Sequence, residues 1–146
     1  MEFKTATTED LDLFLTLENK YFINPWTDTQ FKYELEENEF SKTILLFDDN
    51  KNNIGYINYW IIFDRGEINK ICIDELYRRK GYATELLTYA FKDFQKNDCL
   101  SVSLEVRASN KNAISLYEKF GFTKVRVKEK YYSDGEDAFI MIKGVY

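Results

Sequence analysis

Residues Leu100–Phe122, LSVSLEVRASNKNAISLYEKFGF, constrain this chain more than any other stretch. Leu100–Val106 alternates apolar and polar residues, the period of a half-buried strand. Asn112–Phe120 changes to helical spacing, and Gly121 stands where a helix end favours a left-handed residue. The unit is a strand, a tight polar loop and a helix. It sets a carboxylate, Glu105, at the strand end and a phenol, Tyr117, inside the helix. Two rigid elements joined by a short turn can hold a base and an acid at one cleft.

A second unit of the same kind precedes it, Glu67–Phe91, EINKICIDELYRRKGYATELLTYAF. Its loop, Arg78-Arg79-Lys80-Gly81-Tyr82-Ala83, opens a helix. Gly81 and Ala83 have little or no side chain, so a ligand can approach the backbone closely. The N–H groups and positive dipole end of the helix start favour a phosphate or pyrophosphate. Arg78, Arg79 and Lys80 add charge-assisted donors.

The remaining chain supplies a β-rich first half. Glu2–Ala6 reads as a short strand, and Thr7-Thr8-Glu9-Asp10 carries N-cap chemistry for a helix that Pro25 breaks. Thr27 with Gln30 is a capping box opening a second helix to about Glu37. Lys42–Phe47, Ile54–Phe63 and Glu67–Ile73 read as a meander of strands separated by polar turns. Gly81–Gln95 is helical, and Thr123–Tyr131 and Ala138–Ile142 are the last two strands. The predicted order is β-α-α-β-β-β-α-β-α-β-β: an α/β (α+β) fold with one central mixed sheet of about seven strands flanked by four helices. An antiparallel first half meets a helix-crossed parallel pair in the second. Residues 1–146 read as one domain, without internal repeats.

Composition removes several function classes. The chain has no histidine. Histidine triads, histidine metal sites and a histidine base are therefore excluded, and no metal is expected. Net charge is −5, which argues against nucleic-acid binding and is compatible with a basic peptide partner. Cys72 and Cys99 lack metal-ligand spacing and read as buried hydrophobes of a reducing compartment. No apolar run is long enough to span a membrane, and the N-terminus lacks a signal pattern, so a cytoplasmic protein is expected.

The element order, the Arg78–Ala83 loop and Leu116-Tyr117-Glu118-Lys119-Phe120-Gly121-Phe122 together resemble the GNAT superfamily of N-acetyltransferases, whose phosphate loop is Q/R-x-x-G-x-G/A. Within it the chain is most similar to the RimI branch, which acetylates the N-terminal alanine of a small-subunit ribosomal protein. Asn24-Pro25-Trp26, Leu104–Asn110 (LEVRASN), Ala113–Glu118 and the Tyr131-Tyr132…Asp134-Gly135-Glu136-Asp137-Ala138 ending carry this likeness. The loop after Tyr132 is shorter than the branch's and lacks its usual proline.

The resemblance implies acetyl-CoA as cosubstrate and coenzyme A as product. The backbone of Ile71, Cys72 and Ile73 would pair with the pantetheine arm. Arg78, Arg79, Lys80, Gly81, Tyr82 and Ala83 would hold the pyrophosphate, and Asn110 would contact the arm. Glu105 would be the general base, directly or through water, and Tyr117 would protonate the departing thiolate. Trp26, Tyr131, Tyr132 and Asp137 would line the acceptor pocket. The expected partner is the N-terminus of a basic, ribosomal protein, with the enzyme a monomer or weak dimer.

Each residue also has a plainer reading. Glu105 can be an exposed strand-end charge or half of an ion pair with Arg107. Tyr117, Trp26, Tyr131 and Tyr132 can be packing aromatics, Asn110 an N-cap, and Glu136 and Asp137 solvated charges. For the whole chain the alternatives are acetylation of lysine, a polyamine or another small amine, and a non-catalytic acyl-CoA-binding module.

Overall fold

A computed structural model describes all residues, 1–146. The strands are β1 (Glu2–Thr5), β2 (Ser41–Phe47), β3 (Asn53–Ile62), β4 (Arg65–Ile73), β5 (Ser101–Arg107), β6 (Thr123–Lys128) and β7 (Ala138–Gly144). The helices are α1 (Leu11–Tyr21), α2 (Asp28–Lys32), α3 (Tyr82–Lys96) and α4 (Lys111–Phe120). All seven strands form one sheet in the order β1-β2-β3-β4-β5-β7-β6. Only the β4–β5 pair is parallel, as the helical crossover requires.

Each sheet face buries its own core. On one face α3 and α4 cover Ile57, Tyr59, Ile68, Val102, Leu104 and Met141 with Leu86, Leu87, Phe94 and Tyr117. On the other, α1 and α2 cover Leu45, Tyr56 and Cys72 with Phe14, Leu17 and Phe31. Phe14 stacks on Phe31 at 4.9 Å and meets Tyr56 edge-on at 5.0 Å. Gly66 makes the α3 packing possible. A Cβ there would lie 2.6 Å from the Phe94 ring.

The capping box reads true: Thr27 Oγ1 accepts from the Gln30 N–H at 3.2 Å, and Gln30 Oε1 accepts from the Thr27 N–H at 2.8 Å. The helix it opens widens into a π-helical turn over Tyr33–Glu37. There Glu34 accepts from the Trp60 indole N–H at 3.2 Å and from Asn38 at 2.9 Å. The strand expected to reach Tyr131 stops at Lys128. Lys130 adopts a left-handed φ of 50°, and its N–H donates to Asp137 Oδ1 at 2.9 Å, which turns the chain out of the sheet.

The decisive irregularity lies in β4. Asn58 of β3 opposes Lys70 and Tyr59 opposes Ile68, so Asn69 is an extra, bulged residue. A bulge bends its strand and raises the local twist. The parallel pairing with β5 ends at Ile68–Leu104, immediately before the bulge. Buried Asn58 holds the irregularity: its amide donates to Thr43 Oγ1 at 2.8 Å and Ser41 Oγ at 2.9 Å, and its Oδ1 accepts from Asn69 Nδ2 at 3.1 Å.

Asn58→Ala strands these buried partners. It should lower unfolding free energy by about 1–3 kcal/mol, the cost of an orphaned buried polar group. Urea titration of wild type and variant measures this.

Candidate active site

Beyond the Asn69 bulge, β4 has no strand on its β5 side, so Asn69–Ile73 and the end of β5 bound a V-shaped opening through the sheet. Ile71, Cys72 and Ile73 line its β4 edge, with backbone groups on the β5 side left without strand partners. An extended ligand arm could add there as a strand would.

The basic loop sits at the wide end of the V. Gly81 is the N-cap of α3 with φ +85°, a conformation that favours glycine, and a Cβ there would meet nothing within 4 Å. Open space thus lies over the first-turn N–H groups of a 15-residue helix, with Arg79 and Lys80 exposed beside it. This cradle fits a pyrophosphate. Arg78 is held differently: its Nε–H donates to the Ile73 carbonyl at 2.9 Å, and its guanidinium stacks 4.4 Å from the Tyr21 ring. It anchors the loop to the end of β4. Tyr82 packs edge-on against Tyr77 at 6.1 Å. Ala83 follows in the first turn of α3. Asn110 caps α4, its Oδ1 accepting from the Ala113 N–H at 3.2 Å.

Glu105 projects from the face of β5 opposite to Val102, Leu104 and Val106, onto the α1–α2 side of the sheet. Its ion partner is Lys128, Nζ to Oε1 3.0 Å. The alternative pairing with Arg107 does not form, because Arg107 turns to the β6–β7 loop. There it meets Asp134 at 2.9 Å and Glu136 at 3.3 Å, and lies 4.0 Å over the Tyr132 ring. Glu136 is not merely solvated, since Oε1 also accepts from the Ser109 N–H at 2.9 Å. Asp137 Oδ1 is occupied by the Lys130 N–H, so its carboxylate shapes the loop.

One residue that the sequence reading missed, Glu67, shares this face with Tyr131 and Tyr132. Glu67 is pushed above the usual carboxylate range by burial and then by the Glu105 charge. The Tyr131 phenol is raised by its polar contact with the Glu105 carboxylate and then by burial. Tyr132 is raised by burial first and then by Glu105. Glu67, Tyr131 and Tyr132 therefore gather around the solvent-contacting Glu105 carboxylate.

Tyr117 lies on α4 in the core of the opposite sheet face, edge-on to Phe122 at 5.8 Å. It is 6% exposed, and burial, with a smaller contribution from the Tyr132 phenol, raises its pKa well above that of an ordinary tyrosine. It remains a protonated donor throughout neutral and mildly alkaline pH.

The other wall is anchored by a buried charge. Glu18 of α1 is fully buried, accepting from Tyr56 Oη at 2.5 Å, Lys70 Nζ at 2.9 Å and the Trp26 N–H at 3.0 Å. Lys70 lies 4.3 Å from the Phe22 ring and 4.7 Å from the Trp26 ring. Burial lowers its pKa, against the opposing pull of Glu18. Trp26 is thereby fixed above β4, and it also packs edge-on against Phe31 at 5.2 Å. Asn24, two residues before it, donates to Ser133 Oγ of the β6–β7 loop at 3.3 Å. The α1–α2 and β6–β7 loops meet through this bond. A surface cavity of about 550 Å³ lies elsewhere, between β1–β2 and α3.

Residues 11–122 match the Acetyltransferase (GNAT) family. A Bacillus subtilis (strain 168) protein, provisionally named a ribosomal protein bS18-alanine N-acetyltransferase, is 37% identical over 134 residues, 91% of this chain and 88% of the relative. The ribosomal protein bS18-alanine N-acetyltransferase of Escherichia coli (strain K12) is 30% identical over 137 residues, 92% of this chain and 90% of its own. The crystal structure of the ribosomal-protein-S18-alanine N-acetyltransferase from Escherichia coli superposes with a TM-score of 0.88 at 28% identity, covering 99% of this chain and 93% of that one. The chain belongs to the GNAT family of acetyltransferases and is an acetyl-CoA-dependent N-acetyltransferase.

Proposed function

We propose that this enzyme acetylates the N-terminal alanine of a small-subunit ribosomal protein. The observation that carries the reading is the roofed recess. The Asn24–Ser133 bond joins the α1–α2 loop to the β6–β7 loop, which carries Tyr131 and Tyr132 beside Glu105. A chain end can enter such a recess, whereas a side chain in mid-sequence would bring flanking backbone against the roof. The relatives over nine-tenths of the chain that act on bS18 alanine support the same acceptor. The carboxylates of the recess and the net charge of −5 favour a cationic acceptor protein.

In this reading the pantetheine arm lies along Ile71–Ile73, and the pyrophosphate sits over Gly81 and Ala83 beside Arg79 and Lys80. The thioester then stands in the V, between Glu105 on one sheet face and Tyr117 on the other. An α-amine titrates near ~7.7–8.0, so a modest pull by the Glu105 carboxylate, directly or through water, yields the neutral nucleophile. Attack on the thioester carbonyl and cleavage of the C–S bond leave coenzyme A thiolate, which takes the Tyr117 proton. Trp26, Tyr131 and Tyr132 form the walls around the incoming residue. Most of the acceleration comes from holding amine and thioester together in one geometry.

Transfer is direct. Cys72, the cysteine at the V, is 5% exposed, and burial and the Glu18 charge push its thiol up to about 12. It holds almost no thiolate at neutral pH, so it offers no covalent way-station.

Three expectations test this. Mass spectrometry of a basic Ala-started peptide with acetyl-CoA should find one acetyl group on the α-amine. An N-blocked copy with free internal lysines, and spermidine, should stay unmodified; acetylation of those instead would overturn the acceptor assignment. Tyr117→Phe should lower kcat by about 10²-fold at nearly unchanged acetyl-CoA affinity, whereas lost affinity in a calorimetric titration would make Tyr117 structural. Glu105→Gln should depress kcat/KM by about 10²-fold, most strongly at low pH where the acceptor is an ammonium. An unaltered pH–rate profile would remove Glu105 from the reaction.

A further inference from the structure

We propose that Lys128 is itself an acetyl acceptor: charged with acetyl-CoA and lacking a peptide, the enzyme acetylates its own Lys128 Nζ in cis. The inference rests on the roles given to Glu105 and Tyr117 above.

The juxtaposition is specific. Lys128 ends the edge strand β6, opposite Ala138 of β7, while Glu105 of β5 is opposite Ile140. The lysine side chain therefore crosses β7 to reach the carboxylate, 3.0 Å away. Its ammonium also lies 4.8 Å from the centre of the Tyr131 ring. A carboxylate on one side and an aromatic face on the other is the environment that a recess for an acceptor ammonium provides. Lys128 thus holds, in the free protein, the place of the acceptor amine. Lys70, on the same sheet face, is locked onto fully buried Glu18 instead. The Lys128 side chain is 33% exposed, and its flexible four-carbon stem lets the amine swing without moving the sheet.

The chemistry balances with acetyl-CoA alone. Glu105 takes a proton from the Lys128 ammonium, and the freed nitrogen forms a bond to the thioester carbonyl carbon. The C–S bond breaks, the thiolate takes the Tyr117 proton, and the second nitrogen proton restores Tyr117. The proton on Glu105 passes to solvent. Acetyl-CoA and one ammonium become an acetamide, coenzyme A and a proton. The acetamide can no longer form an ion pair with Glu105, so the modification removes the cation that pairs with that carboxylate.

The test is incubation of the full chain with deuterated acetyl-CoA and no peptide, read by intact mass and peptide mapping, beside a parallel assay on the Ala-started peptide. The expected result is one acetyl group per chain at Lys128, formed at a rate independent of protein concentration and well above that at exposed Lys111 or Lys119. Glu105→Gln should slow this labelling by about 10²-fold while background at Lys111 persists. Lys128→Arg, which keeps the charge, should abolish the labelled site. Peptide acetylation with Lys128 unmodified, labelled no faster than Lys111, or indifferent to Glu105→Gln overturns the proposal alone. Failure to modify either peptide or Lys128 overturns the acid–base reading as well.

Discussion

One inserted residue governs the architecture of the site. Without the bulge at Asn69, β4 would continue to pair with β5, and its apolar, α3-facing residues would close a continuous sheet. With it, pairing stops at Ile68–Leu104 and the sheet splits. The opening exposes backbone along Asn69–Ile73, and unpaired backbone is costly unless water or a ligand satisfies it. The fold absorbs the irregularity through Asn58, whose amide and carbonyl are both engaged inside the sheet. A feature that would be a defect in a structural sheet is here an open slot with unpaired strand backbone at its edge.

The charges around the slot are arranged asymmetrically. Toward α1, Glu18 and Lys70 form a desolvated pair whose neighbours, Tyr56 and the Trp26 N–H, satisfy the remaining acceptor capacity. Such a pair gives little net stability but severely penalises any arrangement that separates it, and so fixes the Trp26 wall. Toward β6, Glu105 and Lys128 remain in contact with solvent, and a pair of that kind exchanges partners at small cost. One wall is rigid by electrostatics and the other adaptable by the same force.

Much of this was legible in the chain itself. Alternation in Leu100–Val106, helical spacing after Asn112 and the glycine loop at Arg78–Ala83 each encode local structure, so the element order and the two strand–loop–helix units follow directly. Strand and helix ends shift by a few residues because tertiary hydrogen bonds decide them, as Asp137 does for Lys130. The bulge was not legible: Asn69 differs from any other polar strand residue only through Asn58, which lies in another strand. Nor were the ion partners. Arg107 is near Glu105 in sequence but is claimed by Asp134 and Glu136, while Lys128 reaches Glu105 across β7. Burial of Glu18 and Glu67 likewise depends on packing that no local pattern records.

The bond between Asn24 and Ser133 is a single neutral contact at 3.3 Å on the surface. A hydrogen bond of this class contributes about 1 kcal/mol or less, so the bond joins the two loops without holding up the sheet beneath them. The bridge is a latch between the two loops, closed in this structure. In the proposed reaction the closed latch excludes mid-chain side chains, and the walls beneath hold the chain end that enters. In that proposed reading, admission of the acceptor and positioning for transfer fall to different parts of the molecule, so two short loops can change while the walls beneath are left intact.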